Sequence, residues 1–219
     1  MAPIPAEVSE TTMMLGSMLA AVVAAITLGL PMATSAQPAT TSPTTQLNQA
    51  EAAHDRGDFA TAYRLWRPLA EQGDAIAQYN LGLLYDNGQG VLQDYADARD
   101  WYLKAAEQGL AQAQFKFGLL YHVGRGVPQD YAAAVSWYRK AAEQGFARAQ
   151  NNLGLMYAAG WGVARDVVQA HKWYNLAAAG QTDHEMREVS ATGRDRLAAV
   201  MTPEQIAEAQ RLASAWRPR

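Results

Sequence analysis

The amino-acid sequence predicts an all-α protein, an α-solenoid of antiparallel helix pairs laid out in 36-residue repeats. Three observations carry that expectation. Leu81–Gly109 and Phe117–Gly145 agree at 20 of 29 positions, and a third copy from Leu153 keeps the same framework, so one unit is written repeatedly. Within each copy, apolar and small residues recur at spacings of three and four, the period of a helix face. Each copy also carries paired glycines at the same place, in NGQGV, VGRGV and AGWGV, where they interrupt a helix. Two short helices cannot bury their own apolar stripes, whereas stacked copies share one continuous core.

Taken in order, the chain opens on an uncharged apolar run, Met13–Leu30, followed by Pro31 and the small residues Thr34 and Ala36. This predicts a signal peptide over residues 1–36 with cleavage after Ala36; uncleaved, residues 13–30 would form a single membrane anchor. No Lys or Arg precedes Arg56, so the usual basic flank is missing, and a start at Met13 or Met14 would leave only the α-amine to supply the charge. Residues 37–46, rich in Thr, Ser, Pro and Ala, predict a disordered linker. A half repeat over 47–73 follows, with Ala62, Leu65 and Trp66 where later copies have Ala, Trp and Tyr.

Whole repeats occupy 74–109, 110–145 and 146–180. In the first, helix A is expected over Ala75–Asn87, with Gly82 allowing close approach of its partner. Asp94, Asp130 and Asp166 are placed to cap helix B by accepting from unpaired amides of its first turn. Ala98, Trp101, Tyr102, Ala105 and Ala106 form the apolar face of that helix, and Gly109 ends it. Residues 181–219 leave the pattern. Thr182 with Glu185, and Thr202-Pro203-Glu204-Gln205, both read as capping boxes, predicting helices near Asp183–Val200 and Pro203–Trp216. Their polar faces, with Arg194, Arg196, Glu204, Glu208 and Arg211, suit a cap that closes the last apolar edge over Trp173, Tyr174 and Leu176.

Composition removes several classes of chemistry. A net charge of −3 gives no electrostatic reason to expect nucleic acid or an anionic membrane surface. The absence of cysteine rules out disulfides, thiolate nucleophiles and Cys-ligated metals. The four histidines, His54, His122, His171 and His184, lie far apart, and HEMRE at His184–Glu188 lacks the second histidine of a zinc-protease motif. The turn glycines are followed by no Lys-Ser/Thr and preceded by no strand, so they cradle no phosphate. Asp94, Asp130 and Asp166 recur in every copy, as caps do and a single catalytic pair does not. The Trp-Tyr pairs recur likewise, which makes them packing residues rather than a ligand platform. No cofactor and no metal site is expected.

The pattern LGLLYxxGxGVxxDYxxAxxWYxKAAEQG, matched at Leu81–Gly109, Phe117–Gly145 and, one residue short near LAAAG, Leu153–Gly180, resembles the Sel-one-like repeat family, relatives of the tetratricopeptide repeat. The resemblance implies a tetratricopeptide-like solenoid that binds proteins or peptides and holds complexes together, with the A helices lining its concave surface. If recurrent positions pack, individuality belongs where the copies differ. On helix A these sets are Ile76, Gln112 and Arg148; Tyr79, Phe115 and Asn151; Asn80, Lys116 and Asn152; Asp86, His122 and Ala158; Asn87, Val123 and Ala159. Their spacing places several on one helical stripe. Tyr79 and Phe115 are the expected aromatic anchors, with Lys116 and Arg148 as the charged contacts for an acidic terminus or side chain.

The expected function is therefore that of a non-catalytic adaptor of the cell envelope, periplasmic or extracellular after cleavage, binding a protein or peptide and no nucleic acid. Retention of residues 13–30 would instead make it an inner-membrane-anchored assembly factor facing the periplasm. A second alternative comes from the same resemblance, since cysteine-rich exported members are described as penicillin-binding or β-lactam-hydrolysing: a hydrolase of cell-wall peptides or β-lactams. Their cysteines have no counterpart in this chain.

Overall fold

The structure, a computed structural model, describes residues 42–180 and 182–219. The signal peptide or anchor, and the linker as far as residue 41, lie outside the described residues. Within them the chain forms ten helices: α1 Pro43–Asp55, α2 Phe59–Glu71, α3 Ala75–Asn87, α4 Tyr95–Glu107, α5 Ala111–Val123, α6 Tyr131–Glu143, α7 Ala147–Ala159, α8 Val167–Gly180, α9 His184–Ala198 and α10 Pro203–Ala215. Each helix from α1 to α8 packs on the next, as a stack of helix pairs requires. The A helices of the three repeats are α3, α5 and α7; the B helices are α4, α6 and α8. No described helix is long and apolar enough to cross a membrane.

The turns between A and B helices show why their residues recur. Asp94 Oδ1 accepts from the amides of Ala96 (2.8 Å) and Asp97 (3.1 Å), and Asp130 and Asp166 do the same one and two repeats later. The second turn glycine is the point where repeats touch. Gly126 has φ +67°, and a Cβ there would collide with the Tyr95 carbonyl in the preceding B helix. Gly90 and Gly162 meet the backbone at Phe59 and Tyr131 in the same way. Only a residue without a side chain lets the turn sit on its neighbour.

The core is divided among three clusters, each joining a B helix to the A helix that follows. Ala98, Tyr102, Ala105 and Ala106 of α4, for example, pack with Ala113, Phe117 and Leu120 of α5. The two members of each Trp-Tyr pair have separate tasks. Tyr102 and Tyr138 are fully buried, and the Tyr102 ring lies so close to Gly82 that a Cβ there would be 2.5 Å away. Trp101, Trp137 and Trp173 instead reach back to the cluster of the preceding repeat. The expectation that these aromatics are packing residues holds.

A glutamine ladder ties the repeats together. Buried Gln114 donates to the Ala106 carbonyl at 3.1 Å, while Gln144 Nε2 donates both to Gln114 Oε1 and to the Gly109 carbonyl at 2.9 Å. Gln78 and Gln108 make the same bonds one repeat earlier. Gln150 continues the series by donating to Ala142, but Gly180 stands where the next bridging glutamine would be. The residue missing from the third repeat therefore ends the ladder.

Two boundaries differ from the sequence-based expectation. Residues 43–46 belong to α1 rather than to a linker: Ser42 Oγ accepts from the Thr45 amide, Pro43 occupies the first turn, and Gln46 Nε2 donates to the Leu65 carbonyl. The half repeat is accordingly a complete helix pair, with Arg56-Gly57-Asp58 replacing the long glycine turn. At the other end, α9 is capped by Asp183, whose carboxylate accepts from Glu185 and Met186, so Thr182 and Glu185 form no capping box. A carboxylate one residue further along competes better than the Thr hydroxyl for the same amides. The second box, Thr202 with Gln205 and Pro203 in the first turn, forms as expected.

Candidate functional site

Helices α3, α5 and α7 carry the non-recurring residues on the stripe left outside their fully buried positions. Ala77, Gln78, Leu81 and Leu84 are buried, leaving Ile76, Tyr79, Asn80, Leu83 and Asp86 on the remaining stripe of α3. Ile76 and Arg148 are exposed at equivalent positions, and Gln112 stands exposed between them. They stand near the helix N-termini, where a cavity of about 440 Å³ is lined by Tyr79 of α3, Gln112 of α5, Phe146 and Arg148 at the start of α7, and Thr182 and Asp183 ahead of α9. Residues from three repeats thus share one surface.

Further along the stripe, Tyr102 Oη donates to Asp86 Oδ2 at 3.2 Å, and Lys116 Nζ reaches the same oxygen at 3.5 Å from the next A helix. One repeat on, His122 Nδ1 and Tyr138 Oη lie 3.1 Å apart. Burial pushes both tyrosine hydroxyls up, reinforced at Tyr102 by the Asp86 charge and opposed at Tyr138 by Asn152. Burial also lowers the pKa of His122, favouring its neutral form. Asp86 and Lys116 line a second cavity of about 240 Å³ with Leu119, Leu120, Val123 and Arg125. In the third repeat Ala158 offers no polar partner, and the Tyr174 ring is covered instead by Gly193 of α9.

The two expected aromatic anchors are half-buried. Tyr79 packs against Tyr102 with ring centroids 5.9 Å apart, and Phe115 lies between Tyr138 (5.7 Å) and Phe146 (5.4 Å). Asn151, their counterpart, accepts from Ser190 Oγ at 3.0 Å and donates to Asn152 at 3.5 Å. The exposed members of the non-repeating sets are Ile76, Gln112 and Arg148, with Asn87, Val123 and Ala159 at the far end of the helices. Leu83, Leu119 and Leu155 belong to the same stripe but recur, and a search for differences passes over them. Helical spacing from Tyr79 through Leu83 to Asp86 was the available signal.

The remaining polar residues serve local structure. Asp94, Asp130 and Asp166 are engaged as caps. His54 packs on Phe59 and Trp66, His171 is buried in α8, and His184 pairs with Glu188 at 3.4 Å. Among the described residues, no three His, Asp or Glu side chains are grouped to hold a metal ion.

Comparison with known proteins agrees with this architecture. The Sel1 repeat family model matches residues 54–74, 75–110, 111–146 and 147–181. The crystal structure of a Sel1 repeat protein from Oxalobacter formigenes is similar, with 30% identity and a TM-score of 0.60 over 77% of this chain and 74% of that one. The structure of c5321, a protective antigen of uropathogenic Escherichia coli strains displaying an SLR fold, is 29% identical over 79% of this chain and 45% of that one, with a TM-score of 0.49. No curated protein matches. Four consecutive matched units, on a stack of helix pairs joined by glycine turns, place this chain in the Sel1 repeat family, whose members are generally protein-interaction scaffolds.

Proposed function

We propose that the protein is a non-catalytic scaffold of the cell envelope, periplasmic or extracellular, which holds a protein or peptide along the A-helix stripe. The observation that carries this reading is the cavity to which Tyr79, Gln112 and Arg148 contribute from three successive repeats. A partner seated there touches all three units at once, so its affinity depends on their being stacked. Ile76 and Val123 supply exposed apolar surface on the stripe, and Arg148 supplies a positive charge for an acidic group. The envelope assignment rests on the apolar run Met13–Leu30 and the small residues that follow it.

Site-directed photo-cross-linking in the producing cell tests the reading. A photoreactive residue at Gln112 or Arg148 is expected to trap one discrete protein adduct. The same residue at Asp100 or Ser136, exposed on α4 and α6, is expected to trap none. Adducts formed equally from both faces, or from the B helices alone, would remove the basis for a binding stripe.

A further inference from the structure

We propose that the cavity at the N-termini of the A helices is a receptor for a primary carboxamide. A glutamine or asparagine side chain of the bound protein supplies the ladder rung that this chain omits. The inference rests on the groove reading and names one group that the groove recognises. Its basis is the 36-residue register of the ladder. In the first repeat Gln108 Nε2 donates to the Gly73 carbonyl at 2.9 Å and to Gln78 Oε1 at 2.8 Å. In the second, Gln144 Nε2 donates to the Gly109 carbonyl and to Gln114 Oε1, both at 2.9 Å. The third repeat keeps the two acceptors in register, as Gly145 and Gln150, and places Gly180 where the donor stood.

Gln150 is held as its predecessors are. It is 2% exposed, and its Nε2 donates to the Ala142 carbonyl at 3.1 Å, as Gln114 does to Ala106. That bond fixes the orientation of the amide, because only its nitrogen can donate. Its Oε1 then lies at the rung position, 4.0 Å from where a Cβ on Gly180 would stand. Among the described residues no donor reaches Gln150 Oε1 or the Gly145 carbonyl. A buried amide oxygen without a donor is destabilising, so a donor that arrives there gains more than a surface hydrogen bond.

Gly145 and Gly180 both line the cavity of about 440 Å³, so the acceptor pair is approached from the groove. The two completed rungs show which group fits such a pair: a planar, neutral carboxamide whose one nitrogen serves both oxygens. An ammonium group would meet the positive charge of Arg148 in the same lining. Asp183, also in that lining, is already engaged by the amides of Glu185 and Met186. A carboxamide escapes that repulsion and offers its own oxygen to the guanidinium.

Gly180 is helical, and a Cβ there meets Ala147 and Gln150 at 3.7 and 4.0 Å, ordinary contact distances. Gly180→Gln can therefore write the rung back into the chain. The probes are N-acetylglutamine N-methylamide, which carries one primary carboxamide, and its methionine and lysine counterparts. Each is titrated into the full chain while the side-chain amide signal of Gln150 is followed by NMR. The glutamine probe is expected to bind at least about tenfold more tightly than either counterpart, and Gly180→Gln to abolish that preference. In the variant, the introduced side-chain amide is expected to exchange with solvent as slowly as that of Gln144. Binding of either counterpart as tightly as the glutamine probe, or no response to any probe, overturns the proposal. So does fast exchange of the introduced amide, since the two acceptors would then be satisfied or out of reach. Cross-linking from Gln112 or Arg148 reports on the groove separately. An adduct without carboxamide preference removes this inference alone, whereas no adduct removes the groove reading beneath it.

Discussion

At the residue scale, the glycines separate two costs that a sequence motif merges. Gly57 and Gly162 both have positive φ, but a Cβ at Gly57 meets open space while one at Gly162 would collide with the Tyr131 carbonyl. Gly57→Ala should therefore cost only the backbone penalty, about 1 kcal/mol, whereas Gly162→Ala must also push adjacent repeats apart and should cost several-fold more. Denaturant melts of the two variants check the ordering. Histidine supplies a second prediction. Burial holds both His122 and His171 below the usual value of 6.5, and Arg194 lowers His171 further against the opposing Asp195. The unfolded chain then takes up protons first, so stability is full above about pH 6.5 and declines as pH falls towards the lowered values. The urea midpoint should drop over that window, and His122→Asn with His171→Gln should flatten the curve. His171 also shows what comparing copies misses. It and Val135 occupy the place of half-buried Arg99, and both are buried, so a non-repeating residue need not be a surface one.

At the scale of elements, the glutamine ladder is the most specific device in the fold. Gln114→Ala removes the donor to Ala106 and the acceptor for Gln144 together, and should cost about 1–3 kcal/mol, more than Asp130→Ala at an exposed cap, about 1 kcal/mol. Thermal denaturation of the two variants tests the difference. Helix boundaries were legible where punctuation repeated: Ala75–Asn87 and the Asp caps follow directly from the glycine pairs and the apolar spacing. They were less legible at the ends, where no second copy exists for comparison. The start of α1 hung on Ser42-Pro43, a cap signal inside a composition that reads as linker. The start of α9 depended on Asp183 outcompeting Thr182 for the same amides. The ladder itself was invisible as a bond pattern, because its glutamine pairs lie 30 residues apart and its residues resemble ordinary surface glutamines.

At the scale of the molecule, repetition divides the labour. The recurrent residues build contacts between neighbouring units, and those contacts bring Tyr79, Gln112 and Arg148 to one cavity. The sequence placed these residues on one stripe but did not report how far each of them is exposed. Tyr79 and Phe115 are half-buried in aromatic contacts between helices, while Gln112 and Arg148 stand exposed. Exposure depends on how A helices stack, and the period of one helix does not report it. The measurement that tests the central claim most directly is calorimetric titration of the cross-linked partner, once purified, against two charge variants. Gln112→Glu with Arg148→Glu should weaken binding by about 2 kcal/mol, roughly thirty-fold, without lowering the melting temperature. Asp100→Lys with Ser136→Lys, on the B helices, should leave the affinity unchanged. Equal affinity for both variants, or a loss confined to the B-helix variant, would contradict the account.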